Sequence, residues 1–228
     1  MLPRMRFLAV LVAVAGVAAL LAAAPDEGAV ARGRKVFLDT QGLEYASCAM
    51  CHNLVPEKEE AEKAEHLGPG ETLYGSAVRA GWRNMNTYAD VGEASQRCAK
   101  WWQERKGGLK PSQRADLVAF LKTHTPKGPL PKRKVQRKPK VLASLSGGDA
   151  KKGKELTARY CSGCHNEAEE AISFELKPRK RKKHVVARKV RGYDAKKKFK
   201  PQDGLMSYFT TDRLSDGDLK HILAYVGK

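Results

Sequence analysis

Two pentapeptides in this chain, Cys48-Ala49-Met50-Cys51-His52 and Cys161-Ser162-Gly163-Cys164-His165, carry residue types at a spacing that does chemistry. Each is a C-x-x-C-H. Two thiols three positions apart can bond to neighbouring rings of one planar macrocycle while the adjacent histidine reaches a metal at its centre, the attachment pattern of haem c. Two other sites could be made from the same cysteines. A four-thiolate zinc site is one, but zinc ribbons keep their C-x-x-C knuckles much closer than Cys51 and Cys161 and need no histidine after each. A disulfide inside each pair, as in thiol redox catalysts, would leave both histidines without a role. Cys48, Cys51, Cys161 and Cys164 are therefore read as attachment residues for two haems, and His52 and His165 as their iron ligands.

Each motif needs elements to hold it, and the chain offers the same pair twice. Gly28, Gly33 and Phe37 precede the first motif, and Gly148, Gly153 and Leu156 the second. Spacings of three and four put Gly153, Leu156 and Tyr160 on one helical face, and likewise Gly33 with Phe37. A glycine on that face lets another helix come close. The second helix is predicted from Pro111 to Leu121 and again from Ser215 to Val226, where Leu-Val-Ala-Phe-Leu at 117–121 matches Ile-Leu-Ala-Tyr-Val at 222–226. Ser215 has the chemistry of an N-cap.

With these residues in place, each half resembles a class I cytochrome c domain, in which N- and C-terminal helices cross at a glycine and an aromatic residue. The resemblance runs over Ala29 to His124 and Gly147 to Lys228. It implies an all-α fold of two tandem domains, each with short helices around one covalent haem. It also implies that a proline carbonyl orients each proximal histidine, with Pro69 and Pro178 in the matching places. The division expected is a signal peptide over 1–24, a first domain over 25–126, a linker over 127–146 and a second domain over 147–228.

The face of each iron opposite the histidine sets whether it only carries electrons or also does chemistry. In the second domain Met206 lies nine residues before Ser215, where class I cytochromes place their axial methionine. The first domain has no methionine there, since Met85 lies 26 residues before Pro111. Cys98 instead lies 46 residues after His52 and 13 before Pro111. That position is similar to the cysteine ligand of thiosulfate dehydrogenases and of the cytochrome subunit of the sulfur-oxidising Sox pathway. Arg97 and Lys100 would favour its thiolate. The following Lys100-Trp101-Trp102 departs from the more polar, arginine-containing stretch of those enzymes. Met85, His66, His124 and an open position are the alternatives to Cys98.

The ends and the charge narrow the class. Arg4 and Arg6 precede an apolar run from Phe7 to Ala24 that ends in small residues, the pattern of an export signal, either cleaved near Ala22 to Pro25 or kept as an anchor. A periplasmic location follows, because covalent haem attachment of this kind happens outside the bacterial cytoplasm. The formal charge is +18, and loss of Arg4 and Arg6 takes it to about +16. Export, and basic runs without interleaved aromatics, argue against nucleic acid as the partner.

The linker carries the Pro- and Lys-rich run 127–140 and should lie extended over the surface. A second tract, 177–200, holds thirteen Lys and Arg against one acid, Asp194. It is either a solvated loop or a landing surface for an acidic redox partner or an anionic membrane. Residues 57–65 alternate Glu and Lys at helical spacing and read as a solvated surface helix. Three functions fit: a dihaem electron carrier, an oxidoreductase acting on a sulfur oxyanion such as thiosulfate with Cys98 as the catalytic ligand, or a sensor that binds a ligand at an open haem.

Overall fold

The computed structural model describes residues 26–39, 47–79, 82–84, 86–101, 103, 105–128, 130, 139–165, 176–194, 196, 198 and 208–228. Among them are eight α-helices: α1 (Glu27–Leu38), α2 (Cys48–Cys51), α3 (Glu57–Lys63), α4 (Val91–Trp101), α5 (Pro111–Lys122), α6 (Ala150–Cys161), α7 (Lys183–Val190) and α8 (Asp216–Val226). A 3-10 turn at Ser76–Val78 and a hairpin of β1 (Trp82–Asn84) with β2 (Asn86–Tyr88) lie before α4. The expected all-α class holds, with that antiparallel hairpin, pairing Trp82 with Tyr88 and Asn84 with Asn86, as a small addition. The export signal over 1–24 lies outside the described residues. Among those described, no helix is long and apolar enough to cross a membrane.

Short polar side chains start the helices. Asp26 accepts from the Ala29 amide at 2.9 Å, Asp149 from Lys152 at 3.0 Å, and Ser215, the predicted cap, from Asp218 at 3.0 Å. Each satisfies an N–H that the helix itself leaves without an acceptor. At α4 the Glu93 amide donates to Asp90, the residue before the helix, and the Glu93 carboxylate accepts from the Ala89 amide of the incoming chain.

One helix crossing frames each half. A Cβ on Gly33 would lie 2.0 Å from the Asp116 carbonyl oxygen and 2.7 Å from Phe120 Cβ. A Cβ on Gly153 would lie 2.0 Å from the His221 carbonyl oxygen and 3.0 Å from Tyr225 Cβ. The backbones of α1 and α5, and of α6 and α8, thus touch at the two glycines that the pattern singled out. Leu117, Phe120 and Leu121 turn one face of α5 into the first core; Leu219, Ile222, Leu223 and Val226 do the same for α8 in the second. Burial of each such leucine contributes about 1.5–3 kcal/mol. Phe37 and Phe120 add a tilted ring pair at 5.6 Å.

Three segments differ from their sequence reading. In α3 the expected surface pairs form, Lys58 with Glu62 at 4.0 Å and Lys63 with Glu59 at 3.5 Å. Glu60, however, is fully buried and is held by both terminal nitrogens of Arg213 from the second half. At the end of the linker, the Pro139 carbonyl accepts from the Tyr193 hydroxyl at 2.7 Å and Leu142 enters the second core, so this part is packed rather than extended. Residues 131–138 lie outside the described set. Within the basic tract, α7 buries Ala187 and Val190, and Arg191 is fully buried, donating to the Phe209 and Thr210 carbonyls and to Asp216. Residues 179–182, Lys189, Lys196 and Lys198 keep their basic side chains exposed.

Candidate metal centres

Both motifs adopt the same turn although they sit on different elements. The first forms α2, where the His52 amide donates to the Cys48 carbonyl at 2.9 Å. The second begins at the last residue of α6, and the His165 amide donates to the Cys161 carbonyl at 2.8 Å. A helical turn closed in this way holds both cysteines and the histidine within one short arc of backbone. None of the five cysteines is joined in a disulfide. Burial raises the Cys48 and Cys164 thiols above their ordinary range and pushes Cys161 up to about 12, with Cys164 adding to the last.

His52 is oriented through its Nδ1, which donates to the Glu71 carbonyl at 2.6 Å and so leaves Nε2 as the lone-pair nitrogen. Pro69 was expected to supply this carbonyl. The acceptor lies two residues further on because Gly70 passes directly under the ring. Its amide donates to the Cys51 carbonyl at 3.0 Å, and a Cβ on it would come within 2.4 Å of Nδ1. In the second half, Pro178 opens a turn in which Arg179 takes φ +50°.

Helix α4 carries Cys98 to the first motif. Burial raises its thiol far above the ordinary range; the neighbouring Cys48 and Cys51 thiols add to the shift, and Arg105 opposes it. The cations predicted to act there were Arg97 and Lys100, but both side chains are exposed. Arg105 takes that place, with a side chain only 5% exposed. It donates to the Asp39 carbonyl at 3.0 Å and lies 3.7 Å from the Asp39 carboxylate. Gln103 Nε2 approaches Cys48 Sγ at 3.7 Å. Neither residue was singled out from the sequence, where only their place in the loop before α5 was visible.

The other candidate ligands fall elsewhere. Met85, Met206 and Trp102 lie outside the described residues. His66 rests its Nε2 on the Met50 carbonyl at 3.2 Å. His124 packs edge-on against Phe120 with ring centroids 5.0 Å apart, and burial lowers its pKa. Each motif thus presents two thiols and one imidazole, and at the first motif the imidazole is already oriented. That donor set fits a covalently attached haem c.

Comparison with known proteins separates the halves in the same way. Residues 30–125 match the family model of cytochrome c. Residues 148–226 match the model described as cytochrome c oxidase, cbb3-type, subunit III. No curated protein and no solved structure matches the chain.

Proposed function

We propose that this protein, whose two halves are cytochrome c domains and whose work is haem-based electron transfer, is an exported dihaem carrier located in the periplasm. The observation that carries this reading is the repeated turn: both motifs close on the first cysteine carbonyl, at 2.9 and 2.8 Å. Cys48 and Cys51 would attach the first haem and Cys161 and Cys164 the second, and His52, His165 and Met206 would be iron ligands. When bound, haem c supplies a reversible one-electron change at iron. The protein's own part is to orient the imidazoles, as Glu71 does for His52, and to keep the two cores apolar. Electrons would exchange with an acidic redox partner docked on the exposed basic residues 179–182 and 189, which an anionic membrane surface would also attract. Intact mass measured after denaturation tests the reading. A gain of two haems is expected, falling to one in Cys161→Ala; a single haem in the wild type would refute it.

A second reading is favoured by one observation, the approach of Cys98 to the first motif beside the buried Arg105. Cys98 would then bind the first iron, and this centre would oxidise a sulfur oxyanion such as thiosulfate before passing electrons to the second haem. Thiosulfate should reduce the wild type and fail to reduce Cys98→Ser. A wild type that thiosulfate leaves oxidised rules out this substrate.

A further inference from the structure

One side chain touches both motifs. His66 follows α3, and its Nε2 meets the Met50 carbonyl at 3.2 Å. A carbonyl can only accept, so the ring carries its proton on Nε2, and Nδ1 is buried with no hydrogen-bond partner among the described residues. The ring also lies on Gly163, where a Cβ would come 2.3 Å from Nε2 and 2.5 Å from Cε1. Met50 and Gly163 hold the same place in their motifs, immediately before the second cysteine. The surrounding contacts also cross between the halves. The Leu67 amide donates to the Arg159 carbonyl at 2.9 Å, and Arg213 donates to Glu60 and to the Gly68 carbonyl, both at 2.9 Å. Gly68 in turn presses on the first motif, since a Cβ there would lie 2.4 Å from the Cys51 carbonyl oxygen. Burial of Nδ1 is costly, so what holds the ring in place is the Nε2 hydrogen bond to Met50 together with its packing on Gly163. Its contacts with the two motifs are what its position gains.

We infer that His66 is a positioning residue that locks the two C-x-x-C-H motifs against each other and makes the two halves one electron-transfer unit. The electron-transfer part rests on the reading that both motifs carry haem. With haem bound at both motifs, a reduced haem at one would supply the single electron that an oxidised haem at the other would accept. His66 is neither oxidised nor deprotonated.

The holoprotein tests this with small-angle scattering and with the rate of internal electron exchange after pulsed partial reduction. Gly163→Ala places a methyl group where the ring stands, so it should enlarge the radius of gyration and slow exchange several-fold. Adding His66→Ala makes room for that methyl. The double variant relieves the clash but lacks the ring, so exchange should stay slow; recovery of the wild-type rate without His66 would overturn the inference. Wild-type scattering and exchange in Gly163→Ala would overturn the inference. If that variant fails to take up haem, His66→Trp enlarges the ring from outside both motifs, with the same expectation and the same refuting result. Should the wild type hold one haem, the dihaem reading fails separately, and scattering alone decides whether His66 locks the motifs.

Discussion

In the first half the residue before the crossing glycine, Arg32, reaches Asp116 on the facing helix at 2.9 Å; in the second half Lys152, in the same place, reaches Asp218 at 3.6 Å. The crossings themselves are nearly superimposable in kind, glycine against backbone and an aromatic Cβ. The halves differ in what is added to this frame. The first adds α3, whose Glu60 is buried against the second half, and α4, which carries Cys98. The second adds α7 and a row of outward lysines and arginines. One addition faces inward across the junction and the other faces solvent. Two copies of one frame have thus diverged in their insertions, and those insertions are what separates the roles proposed for the two sites.

The largest effect should come from exchanging ligands one site at a time. If Cys98 binds the first iron as the second reading proposes, Cys98→Ser should change the optical and EPR signals of one haem and raise its potential, because an anionic thiolate stabilises ferric iron; the other haem should stay as it was. Met206→Ala should do the reverse, removing the near-infrared sulfur-to-iron band while the first haem keeps its signals. If either change alters both haems, or neither, the two sites are not distinguished by these ligands.

Next in size is the buried pair that joins the halves. Glu60→Gln leaves Arg213 buried beside a neutral partner, a change expected to cost about 3–5 kcal/mol when a buried ion pair is broken. Urea unfolding should show that loss, and the halves should unfold in two steps rather than one. An unchanged single transition would mean that the pair contributes little to docking.

A smaller and more symmetrical effect is expected from Gly33→Ala and Gly153→Ala. Each methyl would stand 2.0 Å from a carbonyl oxygen of the facing helix. Overpacking of this kind costs about 1–3 kcal/mol. Thermal unfolding followed at each haem should report a loss in the substituted half only, which sharpens the claim that the two crossings are equivalent.

The smallest effect concerns acid. The hydrogen bond from Arg32 holds the Asp116 carboxyl below its ordinary range, and the amides of Lys152 and Lys151 do the same for Asp149. Both groups have lower pKa values folded than unfolded, so the unfolded chain takes up the proton first as pH falls. Their contribution is complete above about pH 4 and declines as pH drops through the folded values. Asp116→Asn should flatten the acid dependence of the first half and Asp149→Asn that of the second, each measured as unfolding midpoints between pH 5 and 3.

What could be read from the sequence was local. The two motifs, the crossing glycines and the Ser215 cap depend on residues a few positions apart, and the spacing of a helix exposes them. The burial of Glu60 could not be read, because its partner lies 153 residues away and its neighbours Lys58, Glu59, Glu62 and Lys63 form the solvated pattern that was expected. Arg191 was likewise one of thirteen basic residues with nothing to set it apart until α7 turned it inward. Arg105 was missed for the same reason, since its partner Asp39 lies 66 residues back. The carbonyl for His52 was placed two residues early because the close passage of Gly70 under the ring depends on backbone path rather than residue type.

The bond between Arg213 and Glu60 also carries a timetable. Arg32 and Asp116 are 84 residues apart, whereas Glu60 and Arg213 are 153 apart and meet only when α8 is about to begin. A chain made from its N-terminus folds its first domain as a unit before the second is complete. During that interval Glu60 is a hydrated charge on a finished surface, and the edge of the first motif at Met50 still faces water. Closing so long a loop adds little entropic cost once both halves are folded, so the separation of Glu60 and Arg213 in the chain is no obstacle to the junction. Whatever must be attached to the first motif has an open approach until the two halves dock.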